Sequence, residues 1–179
     1  MTFVEMRRWT TADAGALYSA FVGSPDLARQ LGGASLQDVE ACAAFIETRL
    51  AAPSASSYQF AVAVDGVAVG NVGVSAVERA HGTAWMSYWI EARVRRQGLA
   101  TRGLSTAARW AVDELGLFRL ELGHRTENPA SCAVATRSGF RPEGVERSKL
   151  RYGTERFDVE THARLATDPE PDVALLPLA

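Results

Sequence analysis

Cysteine is scarce in this chain. Cys42 and Cys132 are the two thiols in 179 residues, and neither lies in a CxxC motif. That excludes a disulfide framework, and two separate thiols without a secretion signal suit a reducing cytoplasm. Histidine is equally sparse. His81, His124 and His162 lie far apart with no metal-ligand spacing, so no metal site is expected. No apolar run reaches the ~20 residues of a membrane span. The segment Met1 to Trp9 carries Glu5, Arg7 and Arg8 and no long apolar stretch, so it does not read as a signal peptide. Excess positive charge is missing too. The formal net charge is -2, where a dedicated nucleic-acid binder would be basic. There is no internal repeat. Gly66, Gly70 and Gly73 have no helix after them and make no dinucleotide fingerprint. A phosphate-binding GxxxxGKS/T is absent, and Ser87 and Ser138 lack the GxSxG setting of a hydrolase.

What remains is an ordinary globular composition, 47% hydrophobic and 22% charged, in a length that suits one domain. The spacing predicts a strand over Thr2 to Trp9 and a helix from a cap at Thr10–Asp13 to about Phe21. A short helix follows over Asp26 to Leu31, ended by Gly32-Gly33. A longer one is capped by Ser35 and carries Val39, Ala43, Phe45, Ile46 and Leu50 on its apolar face. The middle reads as an antiparallel meander. Its strands are Tyr58 to Val64, Val67 to Val77 and Thr83 to Ile90, the first pair joined at Asp65-Gly66, a strong two-residue hairpin signal. Then come a helix from Gly98 to Leu115, a strand from Phe118 to His124, a short helix from Asn128 to Ser138 and a final hairpin, Val145 to Tyr152 with Arg156 to Leu165. The strand-helix-strand piece from Thr83 to His124 should be a right-handed parallel crossover. The order is mixed α/β and not an alternating doubly wound pattern. Residues 1–166 are expected to form a single domain, and the Pro- and Asp-rich tail, 167–179, to pack loosely.

The chemically informative segment is Arg95-Arg96-Gln97-Gly98-Leu99-Ala100, between a predicted strand and a predicted helix. A glycine there lets the backbone turn so that several N–H groups point at one place beside the positive end of the helix. That suits a pyrophosphate. Arg93, Arg95, Arg96 and Arg102 add positive charge. The same residues would equally make a glycine-capped helix with a solvated basic face, and spacing alone leaves both readings open.

The Arg-x-x-Gly-x-Ala spacing of Arg95, Gly98 and Ala100 resembles the acetyl-CoA pyrophosphate loop of the GNAT superfamily. A second block, Glu127-Asn128-Pro129-Ala130-Ser131 followed by Arg137-Ser138-Gly139-Phe140 and Glu143-Gly144, resembles the RimJ/RimL branch, the ribosomal-protein N-terminal acetyltransferase type. The two blocks stand in the order that branch requires, and the likeness runs from about Thr2 to Leu165. It implies a GNAT fold: a mostly antiparallel sheet of about seven strands, flanked by helices and splayed at a central parallel pair. It implies acetyl-CoA as cosubstrate, held by the backbone of Gln97, Gly98, Leu99, Ala100 and Thr101 with Arg95 and Arg96 nearby. The strand edge at Trp89, Ile90 and Glu91 would pair with the pantetheine arm, and Asn128 would hydrogen-bond that arm. Ser131 would donate a proton as the thiolate leaves, and Arg137 would lie near the nucleotide phosphates. The partner would be a protein N-terminus or an amine-bearing small molecule, with no nucleic acid and no membrane. A homodimer is compatible with the reading.

Several residues carry a second reading. Asn128-Pro129 is an ideal N-cap and N1 pair whatever the ligand. Ser131 could serve only as a first-turn helix residue. Cys132 has no histidine or acid at a recognisable spacing and reads as a packed thiol. No general base stands out. Ser148, Lys149 and Leu150 occupy the positions where part of the branch has a carboxylate, which leaves Glu78, Glu91 and Glu121 as candidates. The missing base keeps a non-catalytic acetyl-CoA-binding module as the alternative to an enzyme.

Overall fold

The computed structural model describes residues 2–31 and 33–179. Seven strands form one sheet in the order β1-β2-β3-β4-β5-β7-β6. They are β1 (Val4–Arg8), β2 (Tyr58–Val64), β3 (Val67–Glu78), β4 (Thr83–Ile90), β5 (Arg119–Arg125), β6 (Arg141–Tyr152) and β7 (Glu155–Leu165). Every adjacent pair is antiparallel except β4 with β5. The β2–β3 hairpin turns at Asp65 (φ 47) and Gly66 (φ 82). Both angles are left-handed, which matches the twist of the flanking strands.

Helices cover both faces. On one side lie α1 (Ala14–Gly23), α2 (Leu27–Gln30) and α3 (Val39–Phe45), the last continued by a π-helical turn over Ile46–Leu50. Their apolar residues Leu17, Leu27, Cys42 and Ile46 are fully buried together with Trp9 and Trp89. On the other side lie α4 (Leu99–Asp113) and α5 (Pro129–Arg137), over a larger core that includes Phe60, Met86, Leu104 and Leu120. Each such side chain contributes roughly 1.5–3 kcal/mol by leaving water. Helix α4 lies close against the sheet because Gly103 has no side chain. A Cβ there would come within 3.0 Å of Val72 and 3.2 Å of Val62.

Three expectations change. Asp38 caps α3, with its carboxylate accepting from Ala41 N at 2.7 Å, where Ser35 had been expected. A charged acceptor suits the positive end of a helix better than a hydroxyl. The glycine pair expected to end α2 includes Gly32, which lies outside the described residues. The tail is docked, not loose. Leu176 is buried, its N–H donates to Thr106 Oγ1 at 2.8 Å, and Arg102 Nε donates to Ala174 O. Met6 and Ala179 then exchange backbone bonds with the last residues and with β1, at 2.8 and 2.9 Å. An edge strand presents unpaired backbone groups, and the tail satisfies them. No helix among the described residues is long and apolar enough to cross a membrane.

Candidate acetyl-CoA site

Strands β4 and β5 are paired only over Thr83–Arg119, Ala84–Leu120 and Trp85–Glu121. Beyond Trp85 they diverge, so Met86 to Ile90 and Leu122 to Arg125 line the two sides of an open groove. The pleat then sorts the aromatic residues of β4. Tyr88 faces the α4 and α5 side, and Trp89 faces the other, where it stands 6.1 Å from Trp9.

One end of the groove meets the start of α4. Gly98 is the N-cap at φ 75, with no side chain capping the first turn, and Arg96 also sits at φ 64. The first helical bond is from Arg102 N to Gly98 O. The N–H groups of Leu99, Ala100 and Thr101 therefore have no intrahelical acceptor, and all three residues line the groove. The arginines divide into two sets. Arg95 is committed to structure: its terminal nitrogen holds both carboxylate oxygens of Asp26 at 2.9 Å, and its Nε donates to Ile90 O. Arg93 pairs with Glu91 at 3.1 Å, and Arg102 holds the tail. Among the described residues Arg96 and Arg137 have no ion-pair partner, and both line the groove. The combination of unpaired amides and two unpaired guanidiniums favours a polyanion.

The start of α5 forms the other wall. Asn128 Oδ1 accepts from Ser131 N at 3.1 Å, with Pro129 at the first helical position. The cap uses the side-chain oxygen, and the Nδ2 donor has no partner among the described residues. Ser131 Oγ lies 2.7 Å from the Tyr88 hydroxyl, which also reaches Ser131 O at 3.0 Å. Burial pushes the Tyr88 phenol up to about 12, against a smaller opposing effect of the Ser131 hydrogen bond, so it stays protonated at neutral pH.

Of the sequence-selected residues, Trp89, Ile90, Arg95, Arg96, Gly98, Leu99, Ala100, Thr101, Asn128, Ser131 and Arg137 line this one groove. Glu91 and Gln97 do not. Glu91 turns its buried carboxylate to Arg93 while its N–H bonds Val69 O, and Gln97 is exposed on the loop. None of the three base candidates reaches the groove. Glu78 holds the turn amides of Ala80 and His81, and Glu121 pairs with Arg119 at 2.6 Å. Sequence reading missed Tyr88 as the partner of Ser131, although strand alternation already separated it from Trp89. It also missed that His124 and His162, read as isolated, meet at 3.0 Å beside Glu160. Cys132, read as a packed thiol, is half-buried and points at Glu160.

Residues 4–141 match the family described as the acetyltransferase (GNAT) domain. The chain belongs to the GNAT acetyltransferase family. It is an acetyl-CoA-dependent N-acetyltransferase. The uncharacterized N-acetyltransferase YoaA of Bacillus subtilis (strain 168) is 25% identical over 166 residues, covering 88% of this chain and 90% of YoaA. Among solved structures, Mycobacterium smegmatis RimJ in complex with CoA-disulfide superposes at a TM-score of 0.81 with 25% identity, over 91% of this chain and 82% of RimJ. RimL, a ribosomal alpha-N-protein acetyltransferase solved with coenzyme A, superposes equally well at 0.81 with 19% identity, over 91% of this chain and 94% of RimL. That second likeness is one of fold. This GNAT chain shares its overall fold with both.

Proposed function

We propose that this GNAT enzyme holds the acetyl-CoA pyrophosphate on the amides of Leu99 to Thr101, between Arg96 and Arg137. The pantetheine arm then runs between β4 and β5 toward the Tyr88–Ser131 pair, with Asn128 Nδ2 donating to it. The observation that carries this reading is the uncapped start of α4, flanked by Arg96 and Arg137, neither of which has an ion-pair partner among the described residues, at the head of the strand gap. A neutral primary amine attacks the thioester carbonyl, the C–N bond forms and the C–S bond breaks. Ser131 Oγ, oriented by the Tyr88 hydroxyl, donates a hydrogen bond to the departing sulfur, and the thiolate takes up the proton that the amine gives to water. Among the described residues no free carboxylate lines the groove, since Asp26 is held by Arg95 and Gln30, so the amine proton leaves through water.

The acceptor enters at the opposite mouth, where Asp26, Arg29 and Gln30 face Leu150 and Tyr152 of the final hairpin. The Arg29 guanidinium lies 5.2 Å over the Tyr152 ring and links α2 to the end of β6. An amine at a protein N-terminus or on a small molecule suits this open, polar rim. The test is thiol release from acetyl-CoA across a panel of N-terminal peptides and small amines, repeated with Arg29→Ala and Tyr152→Ala. Both variants should change kcat/KM between competing amines and leave the acetyl-CoA Kd nearly unaltered. Loss of cofactor binding with amine preference intact would reverse the placement of the two ligands. Saturable binding with no release on any amine would leave a binding module.

A further inference from the structure

Behind α5, away from the mouth, four potential ligands converge from three elements. His124 lies on β5 directly opposite Glu160 on β7, and His162 is two residues further along the same face of β7. Cys132 comes down from the first turns of α5. One ligand atom from each of the four lies within 4.8 Å of all the others.

The hydrogen bonds determine which ring nitrogens face inward. His124 Nδ1 is 3.0 Å from Arg125 O, and His162 Nδ1 is 3.2 Å from Phe140 O. A carbonyl can only accept, so each Nδ1 carries the hydrogen. Each Nε2 of a neutral ring then presents a lone pair. These two lone pairs face each other at 3.0 Å, and Glu160 Oε2 lies 2.9 Å from one and 3.3 Å from the other. The two rings are buried, at 5% and 1% exposure. Three acceptors therefore meet beside two buried rings, and the single hydrogen available from the Cys132 thiol, 3.5 Å from Glu160 Oε2, cannot serve them all. Such a cluster calls for a cation. A ring whose Nδ1–H is tied to a backbone carbonyl is the usual posture of a metal-ligating histidine.

We propose that His124, Cys132, Glu160 and His162 bind one divalent first-row transition ion, with zinc the best match. Two imidazoles, one thiolate and one carboxylate are a zinc donor set. Their charges cancel that of the ion, and binding releases the Cys132 proton to solvent. All four positions are protein ligands, so the ion is structural. It joins α5 to β5 and β7, and thereby fixes the turn that carries Asn128 and Ser131. A cleft bordered by Thr126, Thr136 and Arg137 gives entry past Cys132 and Glu160.

The competing occupant is a shared proton, with one histidine as imidazolium. Chelator-treated full-length protein titrated with Zn²⁺ in a calorimeter separates the two. One equivalent should bind, with proton release and a higher Tm. Co²⁺ should give a thiolate-to-cobalt charge-transfer band. Cys132→Ser, at a half-buried position, should lose that band and weaken zinc by at least about a hundredfold, beyond what an outer-shell change causes. Glu160→Gln should weaken zinc and keep the band. His162→Gln risks misfolding, so Cys132→Ser with an unchanged circular dichroism spectrum is the deciding variant. No zinc uptake by the wild type, or uptake and a cobalt band unaltered in Cys132→Ser, overturns the site.

Discussion

Helix α4 begins at Gly98 with no side chain across its first turn, whereas α5, on the facing wall of the same groove, begins at Asn128 with its cap complete. Both starts follow a strand, and both line the groove. The difference is where the orphan N–H groups go. In α5 the Asn128 carboxamide satisfies one and Pro129 removes another. In α4 the left-handed Gly98 turns the chain and leaves the amides to whatever enters. A helix that omits a cap worth about 1 kcal/mol at its own N-terminus keeps those donors for a ligand. The complete cap, by contrast, holds Ser131 rigidly against Tyr88.

The largest test of this contrast is Gly98→Glu. A Cβ at Gly98 meets nothing within 4 Å, so the new side chain projects into open space, and the carboxylate repels the phosphates. Calorimetry should show acetyl-CoA affinity reduced at least about a hundredfold, with a smaller loss of Tm from the φ of 75. A folded variant with normal affinity breaks the comparison.

Ser131→Ala comes next. In the proposed role the hydroxyl acts while the C–S bond breaks, so kcat should fall about a hundredfold, with little change in cofactor Kd. Unchanged kcat at saturating amine would make Ser131 a helix residue only.

Asn128 sharpens the comparison, because its oxygen caps while its nitrogen is left over. Asn128→Ala should lower stability by about 1 kcal/mol and Tm by about 2–4 °C. Asn128→Asp keeps the capping oxygen and removes the donor. It should keep Tm and weaken acetyl-CoA about tenfold. Unchanged acetyl-CoA affinity in Asn128→Asp would show that the side chain only caps.

The smallest effect lies outside the neutral range. The Tyr88 phenol titrates at about 12 in the folded protein against 10.0 in the free side chain. Its contribution to stability is whole below pH 10 and is lost as pH rises toward 12, because the unfolded chain releases the proton first. Alkaline denaturation of Tyr88→Phe should be less steep than that of the wild type across that window. Identical curves would mean the phenol is not desolvated.

The sequence by itself determined the element order, the Asp65-Gly66 hairpin, the glycine start of α4 and the Asn128-Pro129 start of α5. These are local, since a turn's dihedral angles and a helix's orphan amides depend on a few consecutive residues. That the residues around Gly98 and Asn128 belong together was implied by the resemblance to GNAT motifs and not by local geometry, and they line one groove. The tertiary structure alone decided that Arg93, Arg95 and Arg102 are spent on Glu91, Asp26 and the tail while, among the described residues, Arg96 and Arg137 stay unpaired at the groove. It also decided that Tyr88 meets Ser131 from 43 positions away, and that His124 and His162 share a buried face with Glu160 and Cys132. Charge pairing and side-chain convergence depend on which strands become neighbours. The antiparallel register of β5 with β7, which sets His124 opposite Glu160, has no signature in the spacing of histidines along the chain.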